Sequence, residues 1–397
     1  MKRALELSLI EAALAGSGRG PVLDSCEHLV ATADYADPQV FELERARLLR
    51  PRFSVVGLST AVPRAGDFVT VEVMGTPAIV VRGDDGTVRA FVNVCRHRGA
   101  RVEAQPHGHC KRFVCPYHAW TYGRDGQLEH VRHASAFPQL RVEDTTLAPL
   151  PCVEAAGLLW VCPGEGVCGV DLDDATRCLV DELEGLVGPE PTAFASSERT
   201  WAANWKLITD GGLESYHFRI AHRDSIGGSF GDTNSSYAFI GDHVRTVLPR
   251  VSLASLAELP RERWHLREHA NILYTIAPNA TVLVQPRHFE LILATPIAVD
   301  RTHVEVTTVG RAPGPGGYSE NARAFLQANH TLTVRTLAED FELAEQIHAG
   351  LRTGVNDHFR FGRCEGALSQ WHRRRAEALG RPLPTTVRAT TSAGPRR

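Results

Sequence analysis

The feature that most constrains this chain is a pair of short motifs that each combine one cysteine with one histidine. One residue separates Cys95 from His97, and two residues separate Cys115 from His118. Two thiolates and two neutral imidazoles can hold a [2Fe–2S] cluster in which sulfur binds one iron and nitrogen binds the other. Structural zinc is the alternative, but zinc sites usually pair cysteine with cysteine and histidine with histidine. The mixed pairs therefore favour the iron–sulfur cluster.

The residues around these ligands carry a recognisable pattern. The segments NVCRHRGA (93–100) and CPYHAW (115–120) each follow a strand-like run and are predicted to form hairpin tips. They resemble the signature of the large subunits of Rieske-type oxygenases, the aromatic-ring-hydroxylating dioxygenase family. Ala119 stands where that family usually has glycine. The turn at this residue could therefore differ from the turn in that family.

The length allows two domains, and the composition is ordinary for a globular protein. The 397 residues are enough for two separate cores, and the apolar content of 43% is ordinary. A formal net charge of −3 gives no reason to expect nucleic acid or an anionic membrane as partner. No apolar run approaches the roughly 20 residues that span a bilayer. Acidic residues interrupt the first apolar stretch, so we do not expect a signal peptide.

The cysteines and basic residues bear on the cellular location. Apart from Cys95 and Cys115, the cysteines show no disulfide framework and are interpreted as small buried residues. Free thiols beside an iron–sulfur site are typical of a reducing compartment. The basic residues are almost all arginine, which is associated with GC-rich bacterial genomes. We therefore predict a cytoplasmic bacterial protein.

The strand and helix patterns predict an α+β protein. Short β-type runs fill residues 53–162, and strands at 272–309 precede a long helical pattern from Ser319 to about Leu351. We predict an N-terminal β-rich Rieske domain and a C-terminal catalytic domain with helices on an antiparallel, START-like sheet. The predicted segments are an N-terminal helical segment (1–50), a Rieske domain (51–165), a mononuclear iron catalytic domain (166–380) and a flexible tail (381–397).

A second histidine pair, His217 and His222, lies in the segment NWK (204–206) to ESYHFRIAH (214–222). Two histidines with one carboxylate form the facial triad of non-haem iron(II) oxygenases, which leaves iron positions open for O2 and substrate. A spacing of five residues places the side chains about 140° apart on an ideal helix. We therefore predict that the helix ends or distorts between Arg219 and Ala221.

The resemblance to the oxygenase family implies where the third iron ligand lies. It points to Asp340, within the sequence EDFE (339–342) of the long C-terminal helix. Glu339, Glu342 and Asp357 remain alternatives.

The same resemblance implies a catalytic role for Glu214. A carboxylate at this position would bridge iron-bound His217 and cluster-bound His118, orienting ligands and offering a short route for the electron. Glu214 lies three residues before His217, which predicts that both side chains share one helical face.

One departure from the family pattern lies beside this site. Related sequences often have an acidic residue, asparagine and an aromatic residue where this chain has Asp210, Gly211 and Gly212. Glycine weakens a helix by up to about 1 kcal/mol relative to alanine. The chain is therefore predicted to have a roomier or more mobile cavity floor.

These motifs predict the terminal component of a Rieske-type oxygenase. It would use O2 and electrons from an NAD(P)H-dependent reductase to hydroxylate an organic substrate, by ring hydroxylation or dihydroxylation. The alternative is a monooxygenase or an oxidative N- or O-demethylase acting on a non-aromatic or quaternary ammonium substrate. A remote alternative is a Rieske electron carrier without oxygenase activity.

The predicted cofactors are a Rieske [2Fe–2S] cluster and mononuclear Fe(II), with NAD(P)H acting only through the reductase. The predicted partners are a ferredoxin or flavin reductase, a small organic substrate and O2, with neither nucleic acid nor membrane. The resemblance also implies a head-to-tail homotrimer, and a small β subunit is left open.

Two kinds of side chain are candidates for substrate recognition. An aromatic cage would suit a quaternary ammonium group, and its candidate residues are Tyr237, Phe239, Trp264, Tyr274 and Phe289. A substrate carboxylate would instead pair with Arg245, Arg250 or Arg287. The sequence does not decide between these two options.

Overall fold

The computed structural model describes residues 1–16, 23–164, 171–188, 190–231, 233–314 and 317–387. Its α-helices are α1 (Arg3–Gly16), α2 (Ala33–Ala36), α3 (Pro38–Glu44), α4 (Asp174–Val187), α5 (Trp205–Asp210), α6 (Phe218–Ala221), α7 (Leu266–His269), α8 (Glu320–Leu351) and α9 (Gly366–Leu379). Among the described residues, no helix is long and apolar enough to cross a bilayer.

The strands of the N-terminal half are β1 (Glu27–Ala31), β2 (Ser54–Leu58), β3 (Asp67–Val73), β4 (Thr76–Arg82), β5 (Val88–Val92), β6 (His107–His109), β7 (Phe113–Val114), β8 (Thr121–Tyr122), β9 (Leu128–His130), β10 (Pro149–Leu150), β11 (Cys152–Ala155) and β12 (Leu158–Val161). Those of the C-terminal half are β13 (Pro191–Trp201), β14 (Ser236–Ile240), β15 (His243–Pro249), β16 (Ala270–Ile276), β17 (Ala280–Val284), β18 (Phe289–Ala298), β19 (Arg301–Arg311), β20 (His358–Phe361) and β21 (Thr385–Val387).

The N-terminal domain is built from three small antiparallel sheets. They have the strand orders β10-β5-β4-β3-β6, β11-β12-β2 and β7-β8-β9. The apolar run of β4 is explained by burial on both faces, since Ile79 and Val81 enter one core and Ala78 and Val80 enter another. The first of these cores also contains the two predicted cluster cysteines. The predicted β-rich domain is confirmed.

The C-terminal domain is a seven-stranded antiparallel sheet with the order β13-β19-β18-β17-β16-β15-β14. The long helix α8 packs on this sheet, because its buried residues recur at helical spacing along one face. Phe341 and Ala344 of α8 contact Ile292 and Val304 of the sheet in one apolar cluster. The predicted helix-on-sheet arrangement is confirmed.

The ends of the chain pair with each other. β1 lies between β20 and β21 in a three-stranded sheet, with Leu29 opposite Arg360 and Thr385. The prediction of a flexible tail from residue 381 is therefore wrong for β21. Sequence patterns could not show this, because the backbone partners of β21 lie at the opposite end of the chain. Residues 388–397 of the predicted tail lie outside the described residues.

A buried charge cluster of Glu44, Lys206 and Arg375 links the N-terminal segment to the catalytic domain. The Lys206 ammonium group lies 2.9 Å from the Glu44 carboxylate, and the Arg375 guanidinium lies 2.7 Å from it. Trp205 Nε1 also donates to Glu44, at 3.0 Å. Helices α3, α5 and α9 are thus joined through one carboxylate of the predicted N-terminal segment.

Two predictions about the cysteines are wrong. Cys178 is exposed rather than buried, and Cys26, Cys110, Cys152 and Cys364 are only partly buried. Cys162, directly after β12, is disulfide-bonded, whereas the cysteines of the described residues otherwise remain free thiols. Cysteine spacing alone does not predict such a bond, because a disulfide depends on the distance and direction of the side chains in the folded chain.

Candidate cluster and iron sites

The two predicted cluster loops have the same backbone geometry. In each loop the cysteine N–H donates to the carbonyl five residues later, and the residue four positions later donates back to the cysteine carbonyl, at 2.8–3.0 Å. This turn requires a positive φ at the residue four positions after the cysteine. The φ angle is 78° at Gly99 and 59° at Ala119. Ala119 therefore adopts the left-handed conformation that glycine favours, and the turn is kept despite the departure from the family pattern.

The four predicted cluster ligands converge at the tip of the domain. The Cys95 and Cys115 side chains are buried, and the Nδ1 atoms of His97 and His118 lie 3.2 Å apart. The His97 ring stacks on Trp120 with a centroid distance of 4.9 Å and an interplanar angle of 10°. Two thiols at the core side and two facing imidazole nitrogens at the exposed side fit the mixed ligand set of a Rieske cluster.

Tyr122 is a candidate functional residue that the sequence patterns did not indicate. Its hydroxyl oxygen accepts the Arg96 N–H at 3.0 Å and lies 3.3 Å from Cys95 Sγ. The accepted N–H directs the tyrosine proton toward the sulfur. Burial raises the pKa of Tyr122, so the hydroxyl stays protonated and acts as a donor. Hydrogen bonds to cluster sulfurs are one of the factors that set the reduction potential.

The structure brings together the predicted iron ligands His217, His222 and Asp340, whose ligand atoms all lie within 4.8 Å of one another. Asp340 Oδ1 lies 3.0 Å from His222 Nε2 and 3.4 Å from His217 Nε2. His217 Nε2 is buried and has no hydrogen-bond partner in the described part of the chain. A metal ion would supply that missing partner, so these residues fit a mononuclear iron site.

Each histidine of this site is oriented by a second carboxylate. His217 Nδ1 hydrogen-bonds to Glu214, and His222 Nδ1 lies 2.9 Å from Glu339 Oε2. The Ser225 hydroxyl donates to the same Glu339 oxygen at 2.6 Å. A carboxylate on Nδ1 keeps the proton there and leaves Nε2 free to bind a metal ion.

The alternatives to Asp340 have other surroundings. Glu339 contacts His222 from the side opposite to the ligand atoms, which makes it an orienting residue. Glu342 is exposed on α8, and Asp357 is exposed beside His358. The geometry therefore favours Asp340 as the third ligand.

The electrostatics of the site favour a cation. Burial by itself lowers the pKa of His217, but the hydrogen bond and charge of Glu214 and the charge of Asp340 raise it above its ordinary value. The pKa of His222 is raised in the same way, against burial, by Asp340 and Glu339. Three carboxylates around two imidazoles leave excess negative charge, which a divalent cation would neutralise.

The backbone between the two histidines explains their convergence. The helix α6 has only four residues, with His217 directly before it and His222 directly after it. The predicted end of the helix in this region is confirmed. The predicted helical placement of Glu214 is wrong, because its backbone is extended at φ −142° and ψ 173°. Its carboxylate instead folds back to accept the backbone N–H groups of Tyr216 and His217.

A cavity of about 150 Å³ opens beside His222 and Asp340, between the sheet and α8. Gly211 and Gly212 line it, and a Cβ at either position would lie 3.9 Å from Asp340 or Leu273. A methyl group would fit at these positions in ordinary contact, and a larger side chain would occupy part of the cavity. The glycine pair therefore adds space next to the iron site.

None of the five candidate cage residues lines this cavity. Tyr237 donates to Asp24, and Tyr274 donates to Glu182 on the other side of the sheet. The remaining cage candidates, Phe239, Trp264 and Phe289, pack in apolar clusters elsewhere. Side chains alternate between the two faces of a strand. Because Leu273 faces the cavity, its neighbour Tyr274 faces away from it. The aromatic residues that do line the cavity are Trp205, Phe218, Phe230, Phe341 and Trp371.

The three candidate arginines differ in their surroundings. Arg245 pairs with Glu182 at 2.7 Å, and Arg287 lies over the ring of Phe325. Arg250 instead contacts the cavity wall, because it donates to Asn271, which lines the cavity.

Two family models match this chain. The Rieske [2Fe–2S] domain matches residues 52–146, and the ring hydroxylating alpha subunit (catalytic domain) matches residues 190–381. The chain belongs to the large-subunit family of Rieske non-haem iron oxygenases. Its Rieske cluster and its mononuclear iron are the cofactors of this family.

Individual relatives agree with this assignment. The chain is 34% identical over 200 residues to the glycine betaine monooxygenase oxygenase subunit of Chromohalobacter salexigens, covering 50% of this chain and 44% of that protein. It is 33% identical over 199 residues to the carnitine monooxygenase oxygenase subunit of Escherichia coli K12, covering 47% of this chain and 50% of that protein. The chain thus spans about half the length of the curated relatives it matches.

A solved structure shows the same fold. A quaternary ammonium Rieske monooxygenase in complex with L-carnitine superimposes with a TM-score of 0.75 at 21% identity, over 89% of this chain and 96% of that chain.

Proposed function

We propose that this protein is the terminal component of a monooxygenase that uses O2 and reductase-derived electrons to oxidise a small quaternary ammonium compound. The observation that carries the proposal is the convergence of His217, His222 and Asp340 beside a small cavity. The names of two relatives support this substrate class. Ring hydroxylation, our first expectation from the sequence, has less support, because the relatives described above are monooxygenases of quaternary ammonium compounds.

Each site residue has a distinct role in this proposal. Cys95, His97, Cys115 and His118 would hold the Rieske cluster. His217, His222 and Asp340 would hold iron. When bound, the cluster would supply electrons one at a time and the iron would activate O2. Glu214 fixes the ring of His217 through Nδ1 and is the carboxylate through which the electron would arrive.

We propose that the electron crosses between subunits. In the described part of one chain, Glu214 and His118 make no hydrogen bond to each other. Exposed apolar side chains flank both sites: Tyr117 is 55% exposed beside His118, and Tyr216 is 61% exposed beside Glu214. A head-to-tail ring, which we propose to be a trimer, would bury both surfaces and bring the two residues together.

We propose that electrons come from NAD(P)H through a flavin reductase, with or without a ferredoxin. We place the complex in the bacterial cytoplasm. A small β subunit remains an option that purification of the native complex would decide.

The first test is the iron and acid-labile sulfide content of anaerobically purified protein. A cluster plus a mononuclear iron predicts about three irons for two sulfides per chain. A ratio that stays at two to two after addition of Fe(II) would refute the iron site and leave an electron carrier.

The second test is Glu214→Gln. We expect both metal centres to remain, with substrate-dependent O2 uptake in the presence of reductase reduced by at least about tenfold. Glu342→Gln, on the exposed face of α8, is the matched control. Unchanged O2 uptake in the Glu214 variant would remove this residue from the electron route.

A further inference from the structure

Arg250 is a half-buried cation with no carboxylate partner among the described residues. Its Nε and one terminal nitrogen both donate to Asn271 Oδ1, at 3.2 and 2.7 Å. By contrast, Arg245 on the preceding strand lies 2.7 Å from the carboxylate of Glu182. Positive charge withdrawn from water is usually balanced by a counter-ion, so the surroundings of Arg250 are suited to an anion.

The contact with Arg250 fixes the orientation of the Asn271 amide. A guanidinium group carries only donors, so the atom of Asn271 that faces it must be the carbonyl oxygen. The amide nitrogen Nδ2 therefore faces the other way, and in the described part of the chain it has no hydrogen-bond partner. Asn271 is 8% exposed and lines the cavity. It thus offers an N–H donor in the cavity wall to a bound molecule.

The cavity has opposite electrostatic character at its two ends. Three carboxylates, from Glu214, Glu339 and Asp340, surround the iron site and exceed the charge of one iron(II) ion. The other end has Asn271 in its wall, with the Arg250 guanidinium behind it. Arg52 and Arg375 also line the cavity but are paired with Asp242 and Glu44, and Arg374 lies over the ring of Phe239.

One apolar wall connects these two ends. The Phe218 ring lies 5.5 Å from both the His222 ring and the Phe230 ring. The Phe230 ring in turn lies 5.8 Å from the Arg250 guanidinium. Phe218, Phe230 and Asn271 all line the same cavity, as do the iron-site residues His222 and Asp340.

We infer that Asn271, oriented by Arg250, binds the anionic end of a zwitterionic substrate whose cationic end faces the iron site. The anionic group best matched by an N–H donor backed by a guanidinium is a carboxylate. This inference rests on the proposed function, because it names the part of the substrate that is not oxidised.

The test is binding of two probes to anaerobic, iron-loaded protein without reductase, so that no turnover occurs. Glycine betaine and choline share a trimethylammonium group, but choline has a hydroxyl group in place of the carboxylate. We expect calorimetry to show glycine betaine binding at least about tenfold more tightly, since a hydrogen bond to a charged group is typically worth this factor or more.

The variant Asn271→Asp has nearly the same shape but replaces the donor by a carboxylate that pairs with Arg250. We expect it to lose the tenfold preference for glycine betaine while choline binding changes by less than about threefold. Asn321→Asp makes the same change at an exposed position of α8 and should keep the preference. Arg250→Gln is a second variant with the same expected loss, in case Asn271→Asp fails to fold.

Three results would overturn the inference: equal binding of the two probes by the wild-type protein, no binding of either probe, or a preference that persists in Asn271→Asp. Its failure differs from failure of the proposed function. Equal binding together with substrate-dependent O2 uptake would remove only the role of Asn271 and Arg250. Carboxylate-selective binding without O2 uptake for any quaternary ammonium compound would remove only the monooxygenase.

Discussion

Ala119, in the second cluster loop, should lower the free energy of unfolding of the protein. Gly99, at the equivalent position of the first loop, provides the matched control. Ala119 has φ 59° and Gly99 has φ 78°, at equivalent steps of two turns with the same hydrogen bonds. A left-handed conformation costs a residue with a Cβ about 1–2 kcal/mol. Glycine also makes the unfolded chain more flexible, which lowers the free energy of unfolding by about 0.4–1 kcal/mol and offsets part of this gain. Ala119→Gly should therefore raise the free energy of unfolding by about 0.5–1 kcal/mol.

The reverse change, Gly99→Ala, should lower the free energy of unfolding by a similar amount. A Cβ at Gly99 would lie 3.9 Å from its nearest heavy atom, Val94 Cγ1, so no steric clash adds to the backbone strain. Thermal unfolding of the anaerobic protein, followed by the visible absorbance of the cluster, measures both variants. For a chain of this length we expect midpoint shifts of about 1 °C in opposite directions. A lower midpoint for Ala119→Gly, or no change for both variants, would refute the reasoning.

Two further predictions concern residues outside the ligand sets. Glu339→Gln removes the charge that orients His222, so affinity for Fe(II) should fall by about 10- to 100-fold; competition with a chelator measures this, Glu342→Gln is the control, and unchanged affinity would contradict the role. His243 accepts the Ala277 N–H at Nδ1 and contacts Thr176 through Nε2, and burial lowers its pKa to about 4. Because the unfolded chain binds this proton more readily, stability should be lost as pH falls from about 6.5 to 4, by up to about 3 kcal/mol. Urea unfolding should show a shallower loss for His243→Gln, and the same slope in both proteins would contradict the assignment.

The sequence was most informative where ligands lie close together along the chain. Cys95 with His97, and Cys115 with His118, each occupy one turn, so their spacing reports directly on the coordination geometry. His217 and His222 are similar, since their spacing predicted the end of the helix between them. Asp340 lies far along the chain from the two histidines, so spacing could not indicate it. It was chosen from the resemblance to the oxygenase family.

At the site, side-chain direction was the property that sequence patterns could least predict. Glu339 and Asp340 are adjacent on one helix, and only the fold shows that one reaches the ligand side of His222 and the other reaches its back. Tyr274 was a plausible cage residue until strand pairing placed Leu273, its neighbour, toward the cavity. Tyr122 gave no signal, because a tyrosine in a short strand resembles any core aromatic residue. Periodicity shows which residues share a face but not which face is turned to the site.

The charge cluster of Glu44, Lys206 and Arg375 has a consequence for how the protein is made. Lys206 is buried between one residue near the start of the chain and one near its end. During synthesis the histidines of the iron site leave the ribosome well before α9, so Lys206 has only part of its final environment at that stage. The iron site would therefore mature late, after the last helix has docked. A fragment that begins at the sequence-predicted boundary of the catalytic domain would lack Glu44, and so would leave a buried lysine without its carboxylate.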